Sequence, residues 1–243
     1  LRVVALAGFL GFWQLASGHL FNRYYFGTPS GIAVQIYEWL RSGYLLPHLL
    51  ATIETTALGF SIAAFLALAV AVPLALSRSA DKVLSPFIYA AFALPKVVLA
   101  PLMIFWLGVG FLPSLAMSAI TAFFFVFFNA YGGLRNVSSA LLKAGAILGA
   151  SPLQMTFKIL LPAAAPTIVQ GLQQGLVYAF HGAIVGEMTA SNLGIGYVII
   201  YAATDMNSTS VLAALLVLAA IAFALVKALH AAAARIPGNA EAR

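Results

Sequence analysis

The chain has 243 residues, 63% of them hydrophobic and only 7% charged, with a mean hydropathy of +1.02 and a formal net charge of +6. Soluble domains carry roughly 25% charged residues, so the composition excludes a soluble enzyme or binding module and points to an integral membrane protein. The absence of cysteine excludes a disulfide framework and thiol chemistry.

One transmembrane helix needs about 20 apolar residues, and charge-free windows mark the predicted elements in chain order. Leu1 stands where an initiator Met would be, so a natural N-terminus is expected upstream. Residues 1–22 carry one charge, Arg2, at their start. Tyr24, Tyr25 and Phe26 follow, rings of the kind that anchor a helix at the outer interface. Residues 29–47 place Ile32, Ile36, Trp39 and Leu40 at helical spacing. They predict an amphipathic helix resting on the outer face, or one that helps meet an external partner. Glu54 and Arg78 bracket the next span, 55–77. Residues 83–95 contain Pro86 and Pro95 and are too short to cross. Lys96 and Arg135 bracket 97–134, long enough for two spans divided at Gly108, Gly110 and Pro113. Windows 159–186 and 206–226 complete six spans, and 188–204, with Gly194 and Gly196, is again short. Short apolar pieces at membrane depth are tolerated where they line a cavity or are buried in protein, so 83–95 and 188–204 are expected to be broken helices around a pathway. The expected fold class is all-α integral membrane with six transmembrane helices.

Six spans put both termini on one side. With them fall Arg2, Arg78, Lys82, Lys96, Arg135, Lys143, Lys158, Lys227, Arg235 and Arg243, whereas Arg23 and Arg41 face the other side. The basic side is cytoplasmic by the positive-inside rule. The net positive charge is therefore a topology signal, with no case for nucleic acid. Lys96 reads here as an anchor at the cytoplasmic edge, with attraction of an anionic substrate as the second reading.

A polar segment, KAGAILGASPLQMTFKILLP at 143–162, interrupts the apolar chain on that side. Ser138 or Ser139 is placed to cap a short helix that ends near Gly149, and Ser151 to cap a second one with Pro152 at its first position. Ala144, Gly145, Gly149 and Ala150 are small enough for a partner surface to approach the backbone. Pro162 and Pro166 are expected to mark where the second helix meets the membrane or bends. Such a helix–turn–helix is either an ordinary loop or a rigid part that passes a push to the membrane helices.

The segment resembles the cytoplasmic loop of permease subunits of binding-protein-dependent ATP-binding-cassette (ABC) importers of type I fold. In that family Glu-Ala-Ala, three residues, Gly, nine residues and Ile-x-Leu-Pro recur. Ala144, Gly149, Ile159, Leu161 and Pro162 fall in register, while Lys143 and Gly145 stand where the family has Glu and often Ala. ALPKVVLAPL with IFWLGVG, and GEMTASNLGIGYVI, resemble the nitrate, sulfonate and taurine branch, beside branches that carry pyrimidine vitamin precursors, riboflavin or aromatic acids, so the implied solute is a sulfonate-, nitrate- or taurine-like anion or a related small organic nutrient. The likeness covers about residues 50–230. It implies one transmembrane permease domain over 1–243, with a coupling loop over about 135–162 formed by Lys143, Ala144, Gly145, Gly149, Ala150, Ser151, Ile159, Leu161 and Pro162. It also implies a multi-pass location in the bacterial inner membrane and a second permease copy, giving a homodimer. The other implied partners are two ATPase subunits, which carry the ATP and Mg, and a periplasmic or lipid-anchored binding protein. No Gly-rich phosphate loop ending in Lys-Ser or Lys-Thr occurs in this chain, so ATP is expected to be hydrolysed elsewhere, and no cofactor is expected on this chain.

Polar residues within the spans are candidates for the pathway. Gln170 and Gln174 share a helix face at i, i+4, with Gln173 beside them. Asn129 has the same two readings as the glutamines, pathway lining or interhelical hydrogen bonding. His181 and Glu187 are six residues apart, on different faces unless a bend at Gly182 or Gly186 brings them together. An ionisable group here should face a cavity or a partner. No further His, Cys or carboxylate is near enough in sequence to make a metal site with them, and no nucleophile–base pair suggests an enzyme. The Phe123 to Phe128 run reads as lipid contact and packing. An ion-coupled secondary transporter and a non-transporting scaffold remain as rivals, the first needing ionisable groups deep in the spans and the second leaving the loop unexplained.

Overall fold

The computed structural model describes residues 2–233, and the elements found there are helices. In order they are α1 (Arg2–Ala16), α2 (Arg23–Phe26), α3 (Pro29–Arg41), α4 (Leu45–Leu76), α5 (Arg78–Ala93), a 3-10 turn (Lys96–Leu99) and α6 (Ala100–Leu107). Then come α7 (Phe111–Arg135), α8 (Ser139–Ile147), α9 (Pro152–Gln154), a π-helical turn (Met155–Leu160), α10 (Leu161–Ala190), α11 (Ile195–Thr204) and α12 (Ser208–Ala233). Arg235 and Arg243 lie outside the described residues.

Among the described residues, four helices are long and apolar enough to cross a membrane: Leu45–Leu76, Phe111–Arg135, Pro152–Ala190 and Ser208–Leu229. A fifth crossing arises if Ser79–Ala93 and Lys96–Leu107, bent by 88°, count as one broken span. This alters the reading of 97–134. Its break does fall at Gly108 and Gly110, but the part before it is too short to cross alone and joins the 83–95 piece instead, while Pro113 lies inside α7. Pro95 cannot continue α5 and forces Leu94 out of the helical region, so the bend sits between two windows that charge alone had separated. In α1, 15 residues are helical, which leaves a sixth crossing unshown.

Charge-bounded windows also undercount helix length. α4 begins at Leu45 and runs 32 residues, about 48 Å at the usual rise, against a hydrocarbon core of about 30 Å. Glu54 lies exposed within it. α3 ends at Arg41, and Pro47 already belongs to α4. Ile32, Ile36 and Trp39 of α3 pack inward, but Leu40 is exposed.

The core is a three-helix layer with α7 between α4 and α10. α10 presents Gly171, Gly175, Ala179, Gly182 and Gly186 to α7. A Cβ on Gly182 would lie 2.5 Å from the Met117 carbonyl oxygen, and one on Gly171 would lie 2.6 Å from Asn129 Cβ. Small residues let backbones approach where lipid supplies no hydrophobic drive between helices. Of the phenylalanine run, Phe124 and Phe127 are buried, and Phe127 stacks between Phe123 and Tyr131. These two serve packing.

Candidate functional site

The polar segment folds as a helix–turn–helix. At the end of α8 the Ala150 N–H donates to the Gly145 carbonyl at 3.0 Å and the Gly149 N–H to the Ala146 carbonyl at 3.0 Å. This paired closure needs a left-handed residue, and Gly149 supplies it with φ +73°. Ser151 then opens the second helix with a capping box, donating its N–H to Gln154 Oε1 at 3.0 Å while its Oγ accepts from the Gln154 N–H at 3.3 Å, and Pro152 stands at the first position. At the start of α8, Ser138 occupies the cap position but makes no side-chain cap bond.

One expectation for this segment is corrected. Gly145 is buried against its own hairpin, where a Cβ would lie 3.0 Å from Met155 Cε and closer still to Ile159. It therefore joins α8 to the second helix and is not open to a partner. The second helix runs on through Pro162 and Pro166, from Pro152 to Ala190. Pro162 follows the π-helical turn Met155–Leu160, whose wider ladder leaves room where a proline removes a donor and crowds the preceding turn. Ile159 and Leu161 are half-buried in this joint, and Pro162 is exposed. Lys143, Ala144, Gly149 and Ser151 are exposed and Ala150 half-exposed. The tip is apolar: Ile147 is 85% and Leu148 86% exposed, with Leu153 and Phe157 also open.

A second group lies on the open side of α7 and α10. Asn129 Nδ2 donates to Gln174 Oε1 at 3.0 Å across the two helices. Phe125 stacks on Tyr178, whose ring meets His181 edge-on at 5.7 Å between centroids. Gln170, Gln174 and His181 are exposed on the same run of α10. These polar residues lie within the two apolar helices, Gln170, Gln174 and His181 in the central part of α10 and Asn129 toward the Arg135 end of α7.

Glu187 is not part of that face. α10 stays helical through Gly182 and Gly186, both locked against α7, so no bend brings Glu187 to His181. Glu187 is 1% exposed. Its Oε2 accepts from Thr52 Oγ1 at 2.9 Å and from the Gly196 N–H at 2.9 Å, and its Oε1 is buried without a partner. The Ile195 N–H donates to Thr52 Oγ1 at 2.9 Å and the Gly194 N–H to His48 Nδ1 at 3.2 Å. Three consecutive N–H groups at the start of α11 are thus satisfied by side chains of α4 and α10, as the orphan donors of a buried helix end require. Gly194 (φ +106°) admits the carboxylate, which a Cβ there would meet at 2.6 Å from Oε1. His48 and Thr52 escaped sequence reading. Their i, i+4 spacing on an apolar stretch was visible, but their backbone partners on α11 were not.

Lys96 is held by aromatic rings. Its Nζ lies 4.3 Å from the Phe92 ring centroid and 4.8 Å from that of Phe124, and it donates to the Phe92 carbonyl. Phe124 is about midway along α7, so the cation lies level with the middle of that helix.

Residues 44–236 match the family model described as binding-protein-dependent transport system inner membrane component. The chain is 32% identical to the riboflavin transport system permease protein of Chloroflexus aurantiacus over 91% of this chain and 83% of that protein. It is 26% identical to the taurine transport system permease protein of Escherichia coli K12 over 90% and 82% respectively. Among solved structures, the inward-facing MetNI methionine ABC transporter superposes with a TM-score of 0.68 at 20% identity, covering 76% of this chain and 92% of that one. An amino acid ABC transporter crystallised with histidines gives 0.66 at 18% identity, over 83% and 98%. Both show the ABC permease fold.

Proposed function

The chain belongs to the family of binding-protein-dependent transport system inner membrane components and is an ABC importer permease subunit, and on that premise we propose that it forms, as a homodimer, the pathway of an ATP-driven importer for a small oxyanionic solute of the sulfonate class. The observation that carries the coupling role is the α8 hairpin. It is a helix closed at Gly149, locked to the next helix through Gly145, and continuous with α10 through the π-helical turn. A rigid joint of this kind moves α10 when α8 moves.

In this reading the exposed apolar tip, Ile147, Leu148, Leu153 and Phe157, docks in an ATPase subunit, one for each permease copy, and ATP with Mg is held there and not on this chain. Lys143, Ala144, Gly149, Ala150 and Ser151 border the docked surface, while Gly145, Ile159, Leu161 and Pro162 form the joint behind it. The tip then faces the cytoplasm, as do both termini, which six crossings require, and residues 1–243 act as one permease domain in the bacterial inner membrane. A periplasmic or lipid-anchored binding protein delivers the solute at the α11 end. Asn129, Gln170, Gln174, Tyr178 and His181 line the pathway, since polar groups open within apolar helices call for water or protein and not lipid. Glu187 supports the pathway from behind by fixing α11. Likeness to a taurine permease, taurine being an aminosulfonate, supports the solute class.

Mild purification of the tagged chain from its native membrane, with mass spectrometry of what accompanies it, tests the reading. Stoichiometric recovery of an ATPase is expected. Recovery of this chain alone in several mild detergents would refute it.

A further inference from the structure

Lys96 holds its ammonium between the rings of Phe92 and Phe124, level with the middle of α7. Among the described residues the ion pair is Arg135 with Asp81, at 3.4 Å, and no carboxylate pairs with Lys96. A charge among apolar membrane helices is costly and persists where it faces water or a ligand path. The aromatic faces of Phe92 and Phe124 attract the ammonium without neutralising it, and the Phe92 carbonyl occupies one of its three donors. The site lies at the bend between α5 and α6, where backbone pairing is already interrupted. It is joined to the polar face. Phe92 contacts Phe125, with centroids 6.1 Å apart, and Phe125 stacks on Tyr178 beside His181.

Resting on the importer reading above, we propose that Lys96 is a specificity-determining residue of the pathway, meeting the oxyanion group of the solute level with the middle of α7. The two free N–H donors bind a sulfonate-type oxygen as it leaves water, and the aromatic pair keeps the amine from folding back toward either surface. A neutral solute gains nothing there and leaves the charge unpaired.

Cells carrying the complete importer, with its ATPase and binding protein, are given labelled ethanesulfonate or uncharged riboflavin. Lys96→Met is expected to lower ethanesulfonate uptake by about tenfold or more, the scale of one charge-assisted hydrogen bond, and Lys96→Arg to restore most of it. Unchanged ethanesulfonate uptake in Lys96→Met overturns the proposal, as does riboflavin being the solute carried. Equal loss in Lys96→Met and Lys96→Arg also overturns it, because it would assign the lysine to capping α5. A wild-type importer that moves neither probe overturns this inference, and if it also retains no ATPase it overturns the importer reading beneath it.

Discussion

Glu187→Ala tests whether the start of α11 is held by side chains of its neighbours. The substitution removes the bonds to Thr52 Oγ1 and the Gly196 N–H, both 2.9 Å. Interhelical hydrogen bonds in membrane proteins are worth about 0.6 kcal/mol on average and up to about 1.7, and those to charged groups run higher, about 1.5–3. With about 1 kcal/mol taken for each bond and about 1 more for the Gly196 N–H left without a partner, the local loss is about 3 kcal/mol. That corresponds to a rise of about a hundredfold in the open population of α11. The chain has no cysteine, so a single Val198→Cys reporter is clean, and Val198 is buried on α11 with Leu45 and Ile199. Maleimide labelling of that thiol in nanodiscs is expected to quicken about a hundredfold with Glu187→Ala. With Glu187→Gln it should quicken only a few-fold, because one amide oxygen can still accept both bonds. Labelling of Glu187→Ala within about threefold of the parent rate would refute the clamp, leaving α11 held by its apolar packing alone.

Gly149→Trp is expected to abolish ATP-coupled uptake while the protein still reaches the membrane, because φ +73° excludes a bulky residue and unseats the α8 closure; normal uptake in vesicles would refute the docking reading. Gly182→Val should lower the thermal midpoint in detergent by several degrees through collision with the Met117 carbonyl. Gly132→Ala, a helical site with open space around its Cβ, should leave the midpoint unchanged or raise it slightly; equal losses at the two sites would sink the packing argument. Asp81→Asn removes the charge facing Arg135 at 3.4 Å but leaves an acceptor for Tyr131 and Ser85. It should lower the thermal midpoint only slightly, with the difference shrinking at high salt, as thermal melts at two ionic strengths will show.

Composition and charge spacing were enough to set the class of the molecule. Sixty-three per cent hydrophobic residues and long charge-free windows admit only membrane helices, because backbone groups in hydrocarbon must be paired within the segment. The polar hairpin at 143–162 was legible for a local reason: capping and left-handed closure depend on residues a few positions apart, so Gly149, Ser151 and Pro152 announced their own conformations. Tertiary structure decided whatever rests on which faces meet. A charge marks a span's end only if it lies outside the membrane, and Glu54 and Lys96 show that an exposed or ring-held charge can sit within a helix or at a bend. Gly145 looked like an opening for a partner and is filled by Met155 and Ile159. Glu187 and His181, candidates for one site, were parted because the glycines between them serve close packing on α7 and not a bend. Side-chain chemistry is written residue by residue. Its partners are chosen by helix contacts far apart in sequence, such as Thr52 with Glu187 and Ile195, and only the packed bundle settles those.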